Sequence, residues 1–332
     1  MSDTQTPPPP SSAPLSQYLP KRSFGLKLLL VCLLALLMAI PAGFVWGLVY
    51  ERESNADRAI DSVSEARGGR QIVMGPILSV PVERRIWETR PVGPNGQQME
   101  VERKRIERLV IFAQDGHATV GMTTEILKRG IHDAPVFKAD YSANAQFDLS
   151  DAMQAVPDDG QVLWDRAEIV MGLSDLRGVR SEVIVTINGK ELSLAPFDMS
   201  GGKTKYSNDA MNLLGYGNMA LVAAPLEGLD PDDQKAVKLT GRLNFSGAQR
   251  LGFTAFAKNT TIAMTGDWVS PSFEGGFLPA SRDVRDDGFT AEWNVPFLAR
   301  GESGAGMNLS IAKITNENMG VLLLYEASPY RS

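Results

Sequence analysis

Hydrophobic and polar positions divide this chain into two unlike parts. From Leu28 to Tyr50 the pattern is an uninterrupted run of 23 residues without a charge. At about 1.5 Å per residue, a helix of that length crosses the roughly 30 Å hydrocarbon core of a bilayer. Beyond it, Ala56, Ala59, Ile60, Val63 and Ala66 recur at three- and four-residue steps among charges. That stripe predicts that the helix continues as a stalk until Gly68-Gly69 stops it. From Gln71 onward the period falls to two. Phe137, Ala139, Tyr141, Ala143, Ala145 and Phe147 alternate with polar residues, and so do Val237, Leu239, Gly241, Leu243 and Phe245. Alternation of this kind marks strands with one buried and one wet face. Val183–Ile187, Asn188-Gly189 and the stretch to Leu194 read as a hairpin closed by a type I′ turn.

Further strands are predicted at 77–86, 105–112, 161–172, 261–265, 307–314 and 321–325. Short helices are expected only near 150–155 and 209–214. The predicted fold is mainly β: one N-terminal transmembrane helix, then an antiparallel β-sandwich or barrel-like domain with few short helices. The divisions are a disordered Pro-rich tail (1–24), a transmembrane helix (25–50), a helical stalk (51–69) and one β-rich domain (70–332).

Charge orients the chain. Lys21, Arg22 and Lys27 precede the apolar run, whereas Glu51, Arg52 and Glu53 follow it as a mixed cluster. Positive charge collects on the cytoplasmic side, so the N-terminus is expected there and the β domain on the far side, in the periplasm. The run is longer than a signal-peptide core and no Ala-x-Ala-like site follows, so it is read as a retained anchor. Gly43 and Gly47 form a G-x-x-x-G pair, a candidate face for a second span. Net charge is −6 overall, and nearer −8 once the tail and Lys27 are set aside. An acidic domain is a poor partner for nucleic acid. The single cysteine, Cys32, lies inside the apolar run, so the rest of the chain has neither disulfide nor thiolate metal site.

Motifs that resemble catalytic ones fail on spacing. Gly202-Lys203-Thr204 ends like a phosphate-binding loop, but Phe197 stands where the first glycine belongs. Gly215-Tyr216-Gly217-Asn218-Met219-Ala220 matches a dinucleotide fingerprint without the βαβ unit around it. Asp283, Asp287 and Gly288 fit part of a calcium loop, but Arg285 and Asn294 occupy ligand positions. Asp230, Asp232 and Asp233 read as turn residues. His117, after Asp115-Gly116, reads as an exposed turn residue, and His132 is the only other histidine. Glu100–Arg108 alternates acids and bases as a wet strand would. No catalytic, cofactor-binding or metal-binding residue is assigned, and no cofactor is expected.

Three segments carry a family resemblance: Gly75-Pro-Ile-Leu-Ser-Val-Pro-Val82, Ser174-Asp-Leu-Arg-Gly178, and Gly266-Asp-Trp-Val-Ser-Pro-Ser-Phe-Glu-Gly-Gly-Phe-Leu-Pro279. Arg282-Asp-Val and Gly288–Trp293 extend it. Together they resemble the CreD family of bacterial inner-membrane proteins, from the anchor to about Trp293. The resemblance implies a Gram-negative-type inner membrane, a periplasmic domain after the first span, and a role in envelope integrity tied to a two-component system. It implies no catalytic residues. It also implies further membrane helices after the domain, which the sequence ending at Tyr330-Arg331-Ser332 does not include.

The reading is therefore a non-catalytic, membrane-anchored protein that supports the envelope through contacts with other envelope proteins. The alternatives are a membrane-tethered hydrolase using a carboxylate pair, and a periplasmic module binding a ligand or lipid. Asp175, Arg177, Trp268 and Phe273 are the candidate interaction surface. The sequence does not set the oligomeric state.

Overall fold

A computed structural model describes residues 24–92, 97–129, 132–150, 152–197, 219–230, 236–300, 304–307 and 318–323. The Pro-rich tail, Gly202-Lys203-Thr204, Gly215–Asn218, the 209–214 helix, Asp232, Asp233 and residues 308–314 lie outside these. The chain forms two units, one up to Arg58 and one from Ala59.

The first unit is helical. Helix α1 (Phe24–Arg67) starts in it and carries Pro41 without a break. Its stretch Phe24–Leu48 is long and apolar enough to cross a membrane. Leu29, Leu36 and Phe44 are exposed there rather than packed on protein, as suits a helix whose solvent is lipid. Gly43 and Gly47 lie on this surface, with nothing within 4 Å of the Cβ position of either.

The second unit holds the strands, in chain order β1 (Gln71–Val92), β2 (Gln97–Ile111), β3 (Ala113–Arg129), β4 (His132–Asp148), β5 (Gly160–Val162), β6 (Glu168–Leu173), β7 (Ile184–Ile187), β8 (Lys190–Ser193) and β9 (Ala195–Pro196). They continue as β10 (Ala220–Pro225), β11 (Ala236–Ala248), β12 (Arg250–Phe253), β13 (Ala257–Gly266), β14 (Pro271–Gly275), β15 (Ser281–Arg285), β16 (Gly288–Val295), β17 (Ala305–Met307) and β18 (Met319–Leu323). A four-residue helix, α2 (Phe297–Arg300), follows β16.

The first sheet runs β14-β18-β12-β1-β6-β10-β9, with β2 and β5 also on β1 and β17 on β2; the second runs β15-β16-β13-β3-β4-β11-β7-β8. Most pairs are antiparallel, as the alternation predicted. One in each sheet is parallel, β1 with β12 and β3 with β13. The sheets are therefore mixed, because segments far apart in sequence reach their partners by crossovers rather than hairpins. Asn188 (φ 51°) and Gly189 (φ 81°) close the β7–β8 hairpin with the two positive φ angles of a type I′ turn. The predicted strand 161–172 is broken in two by a 3-10 turn at Trp164–Arg166.

Both sheets contribute to one apolar cluster. Val73, Leu78, Leu251 and Val321 come from the first sheet, and Phe137, Tyr141, Leu243 and Trp293 from the second. The alternating residues of β4 and β11 all face it and are buried. The first sheet buries its other face as well, around Met74, Ile77, Val110, Phe112 and Val170. This explains why Val73–Val82 shows no alternation: every residue in it is buried. Asp115-Gly116 is not a turn but lies inside β3. A side chain at Gly116 would meet the Phe256 ring at 2.5 Å, so glycine lets that ring pack directly on the strand.

Candidate functional site

The Ser174–Gly178 segment folds into a tight joint at the end of α1. Gln71, fully buried, is its centre. Its Nε2 donates to the carbonyls of Gly68 (2.7 Å) and Asp175 (3.1 Å), with Ser246 O 3.3 Å away, and its Oε1 accepts from Asp175 N (3.2 Å). Ser246 Oγ donates to Arg67 O (2.9 Å) and accepts from Arg180 Nε (3.0 Å). Gly178 approaches Ser246 O so closely that a Cβ there would collide with it. A buried network this complete fixes the exit of the helix.

Asp175 caps the turn by accepting from Arg177 N (2.9 Å), and its carboxylate also takes Arg177 Nε (2.8 Å) and Nη2 (2.6 Å). The Arg177 side chain beside it holds the Asp175 carboxyl below its ordinary value. These two sequence candidates are thus engaged with each other. The other two lie in a second cluster. Trp268 is buried and donates from Nε1 to Ser270 O (3.1 Å). Phe273 is half-buried, edge-on to Phe289 (5.7 Å) and Trp293 (5.9 Å), with Arg282 over its ring (5.8 Å). Asp267 of the same motif accepts from Thr124 N (2.8 Å) and Oγ1 (2.7 Å), tying the segment to β3.

Two exposed regions stand out among the described residues. The first is the ribbon formed by the outer halves of β1 and β2. Past Arg84, β1 pairs with β2 alone. Its charges form a ladder: Lys104–Glu83 (2.6 Å), Arg103–Glu88 (3.3 Å), Arg85–Glu102 (3.6 Å), and Arg84 between Asp159 (3.1 Å) and Glu107 (3.4 Å). Asp159, and then Glu107, hold the Arg84 guanidinium above its ordinary pKa. Among these pairs Trp87 (66%), Met99 (54%) and Val101 (42%) are exposed.

The second region is the outer face of the second sheet. Register places Ser281, Glu292, Ala263, Thr119, Ser142 and Arg242 side by side across six strands. Gly121, Asp140 and Asn244 form part of the next row. They line a recess of about 690 Å³. Along the same strands lies another, of about 570 Å³, lined by His117, Asn144, Lys238 and Thr240 among others. His117 is exposed, as expected, but from mid-strand. The side chains of Asp140, Arg242 and Glu292 have no hydrogen-bond or ion-pair partner among the described residues. Asp140 and Glu292 stand on strands three spacings apart, about 14 Å. Carboxylate pairs that cleave glycosidic bonds lie roughly 5–9.5 Å apart. Asp283 pairs with Arg285 (2.5 Å) in the β15–β16 hairpin. No three His, Cys, Asp or Glu side chains gather to hold a metal among the described residues.

Asp175, Arg177 and Gly178 in the helix joint, and Asp267, Trp268 and Phe273 in the aromatic cluster, belong to two of the three segments that carry the resemblance. A sequence profile described as "Inner membrane protein CreD" matches residues 23–332. The chain belongs to the CreD family. The inner membrane protein CreD of Escherichia coli (strain K12) is 28% identical over 271 residues, which is 80% of this chain and 53% of that protein. The chain thus spans about half the length of this curated CreD relative. Among solved structures, an M1 zinc metallopeptidase from Deinococcus radiodurans covers 64% of this chain and 42% of its own, at 10% identity and a TM-score of 0.20. In this CreD-family chain, the Gly75–Val82 segment is a strand buried on both faces, Ser174–Gly178 the helix joint, and Gly266–Pro279 the aromatic edge.

Proposed function

We propose that the chain is a non-catalytic CreD-family protein of the inner membrane that supports the cell envelope through protein contacts. Its N-terminus lies in the cytoplasm and its β domain in the periplasm. The observation carrying this reading is the β1–β2 ribbon, which holds Trp87, Met99 and Val101 in solvent on a two-stranded arm. Register puts Trp87 on one face of the ribbon and Met99 and Val101 on the other, so both faces offer apolar side chains to a partner; aromatic residues and Met are enriched at contact surfaces, and Trp is often dominant in one. The engagement of Asp175 with Arg177 and the wide separation of Asp140 and Glu292 support a role without catalysis.

A photo-crosslinking amino acid at position 87, in membranes, tests the arm. A discrete adduct with an envelope protein is expected, absent when the probe is moved to the exposed position Gln154. Equal labelling from both positions refutes the contact arm. A folded Asp→Asn or Glu→Gln variant that abolishes envelope support refutes the non-catalytic reading.

A further inference from the structure

We propose that the recessed outer face of the second sheet is a binding site for a linear, hydroxyl-rich glycan strand. The site is separate from the β1–β2 arm and does not depend on the protein-contact reading.

The chemistry of the face selects its occupant. Within a sheet the backbone N–H and C=O groups are taken up by neighbouring strands, and under the recess β3, β4, β13 and β16 each have a strand on both sides. The face therefore offers side chains alone, and an extended peptide, which recognises a free strand edge, gains nothing from it. The apolar side chains in the lining, such as Val120, Tyr141 and Met264, are buried on the core side. The apolar surface left open in the recess, Ala263 and the aliphatic parts of its neighbours, is too short to seat a lipid tail. Around Ala263, what faces outward is hydroxyl, carboxamide, carboxylate and guanidinium: Thr119, Ser142, Asn244, Asp140, Glu292 and Arg242.

The three charges are the decisive part. Unpaired carboxylates accept hydrogen bonds from neighbouring sugar hydroxyls without needing a counter-charge. Arg242 donates to an amide carbonyl or a sugar carboxylate. The floor is small where the strand must lie close. Gly121 is exposed, and a Cβ there would meet nothing within 4 Å. The two recesses follow one another along β3, at positions 115–117 and 119–121, so the surface continues lengthwise. That suits a polymer better than a compact ligand. Among the described residues no aromatic ring on this face supplies a stacking platform, so each sugar binds weakly and affinity builds along the strand.

The test uses the full-length chain in detergent micelles and chitohexaose, a linear N-acetylglucosamine hexamer, followed by titration calorimetry. Binding is expected, weakened about tenfold by Arg242→Ala through loss of charge-assisted hydrogen bonds. It should be abolished by Gly121→Leu, which fills the open floor. The melting temperature of Gly121→Leu should be unchanged, and Trp87→Ala should bind normally. Absence of chitohexaose binding, or binding indifferent to Gly121→Leu, overturns the proposal and leaves the crosslinking result at position 87 untouched.

Discussion

Along the β1–β2 ribbon, Arg84, Arg85, Arg103, Lys104 and Arg105 each lie 3.6 Å or less from a carboxylate. On the outer face of β3, β4, β11 and β16, Arg242, Asp140 and Glu292 have no such partner among the described residues. The difference follows from what stands behind each surface. The ribbon is two strands thick with no core on either side, so cross-strand pairs are the means available for holding its register. The sheet face is backed by Phe137, Tyr141, Leu243 and Trp293, and its register is fixed from beneath. Its charges are not needed for the fold and are available for something else.

If pairing marks a structural role, the buried form of it should matter most. Gln71→Leu leaves the Gly68 and Asp175 carbonyls and the Asp175 N–H without their partner, and should cost about 3 kcal/mol. A thermal melt of the full chain reads this directly; an unshifted melt breaks the argument at its strongest point.

Asp175 comes next. Its carboxyl is held below the ordinary value, first by the Arg177 side-chain hydrogen bond. The stabilisation is therefore present at neutral pH and disappears as pH falls through that lowered value, below the ordinary carboxylate range near ~4. Melting temperature should fall less steeply with acid in Asp175→Asn than in the parent. Parallel acid profiles would show that the pair does not contribute.

The smallest effects test the comparison itself. Lys104→Ala on the exposed ribbon should lose about 0.2–1 kcal/mol. Arg242→Ala should stay within about 0.5 kcal/mol of the parent. Chemical denaturation of both variants ranks them, and a larger loss for Arg242→Ala would reverse the assignment of structural and available charge.

Much of this was legible from the chain. Period-two alternation located β4 and β11 and their buried faces, because one side of each strand is wet. Asn188-Gly189 located the β7–β8 turn, because few residues tolerate two positive φ angles. The parallel pairs were not legible: Leu251 sits beside Gln71 through a crossover that no local pattern encodes. Gly116 read as a turn because its reason for being glycine, the Phe256 ring, is about 140 residues away. Phe273 read as a surface aromatic, although its neighbours Phe289 and Trp293 lie on the other sheet. The recess was missed for a different reason. Thr119, Ser142 and Arg242 each look like an ordinary wet strand position, and only their alignment across strands makes a concavity. The available signal was the run Thr119, Gly121 and Thr123 at successive outward positions of β3.

β1 is a single strand of 22 residues, about 70 Å of chain, with Gln71 and the helix joint at one end and the ribbon tip at the other. Near Gln71 it is flanked by β12 and β6. A pull on the tip directed along the strand would load those ladders in shear, with many hydrogen bonds resisting together, rather than peel them one by one. The arm is thus coupled to the end of α1 by a stiff tie, so tension applied at the tip would be delivered to the helix end without first unravelling the sheet.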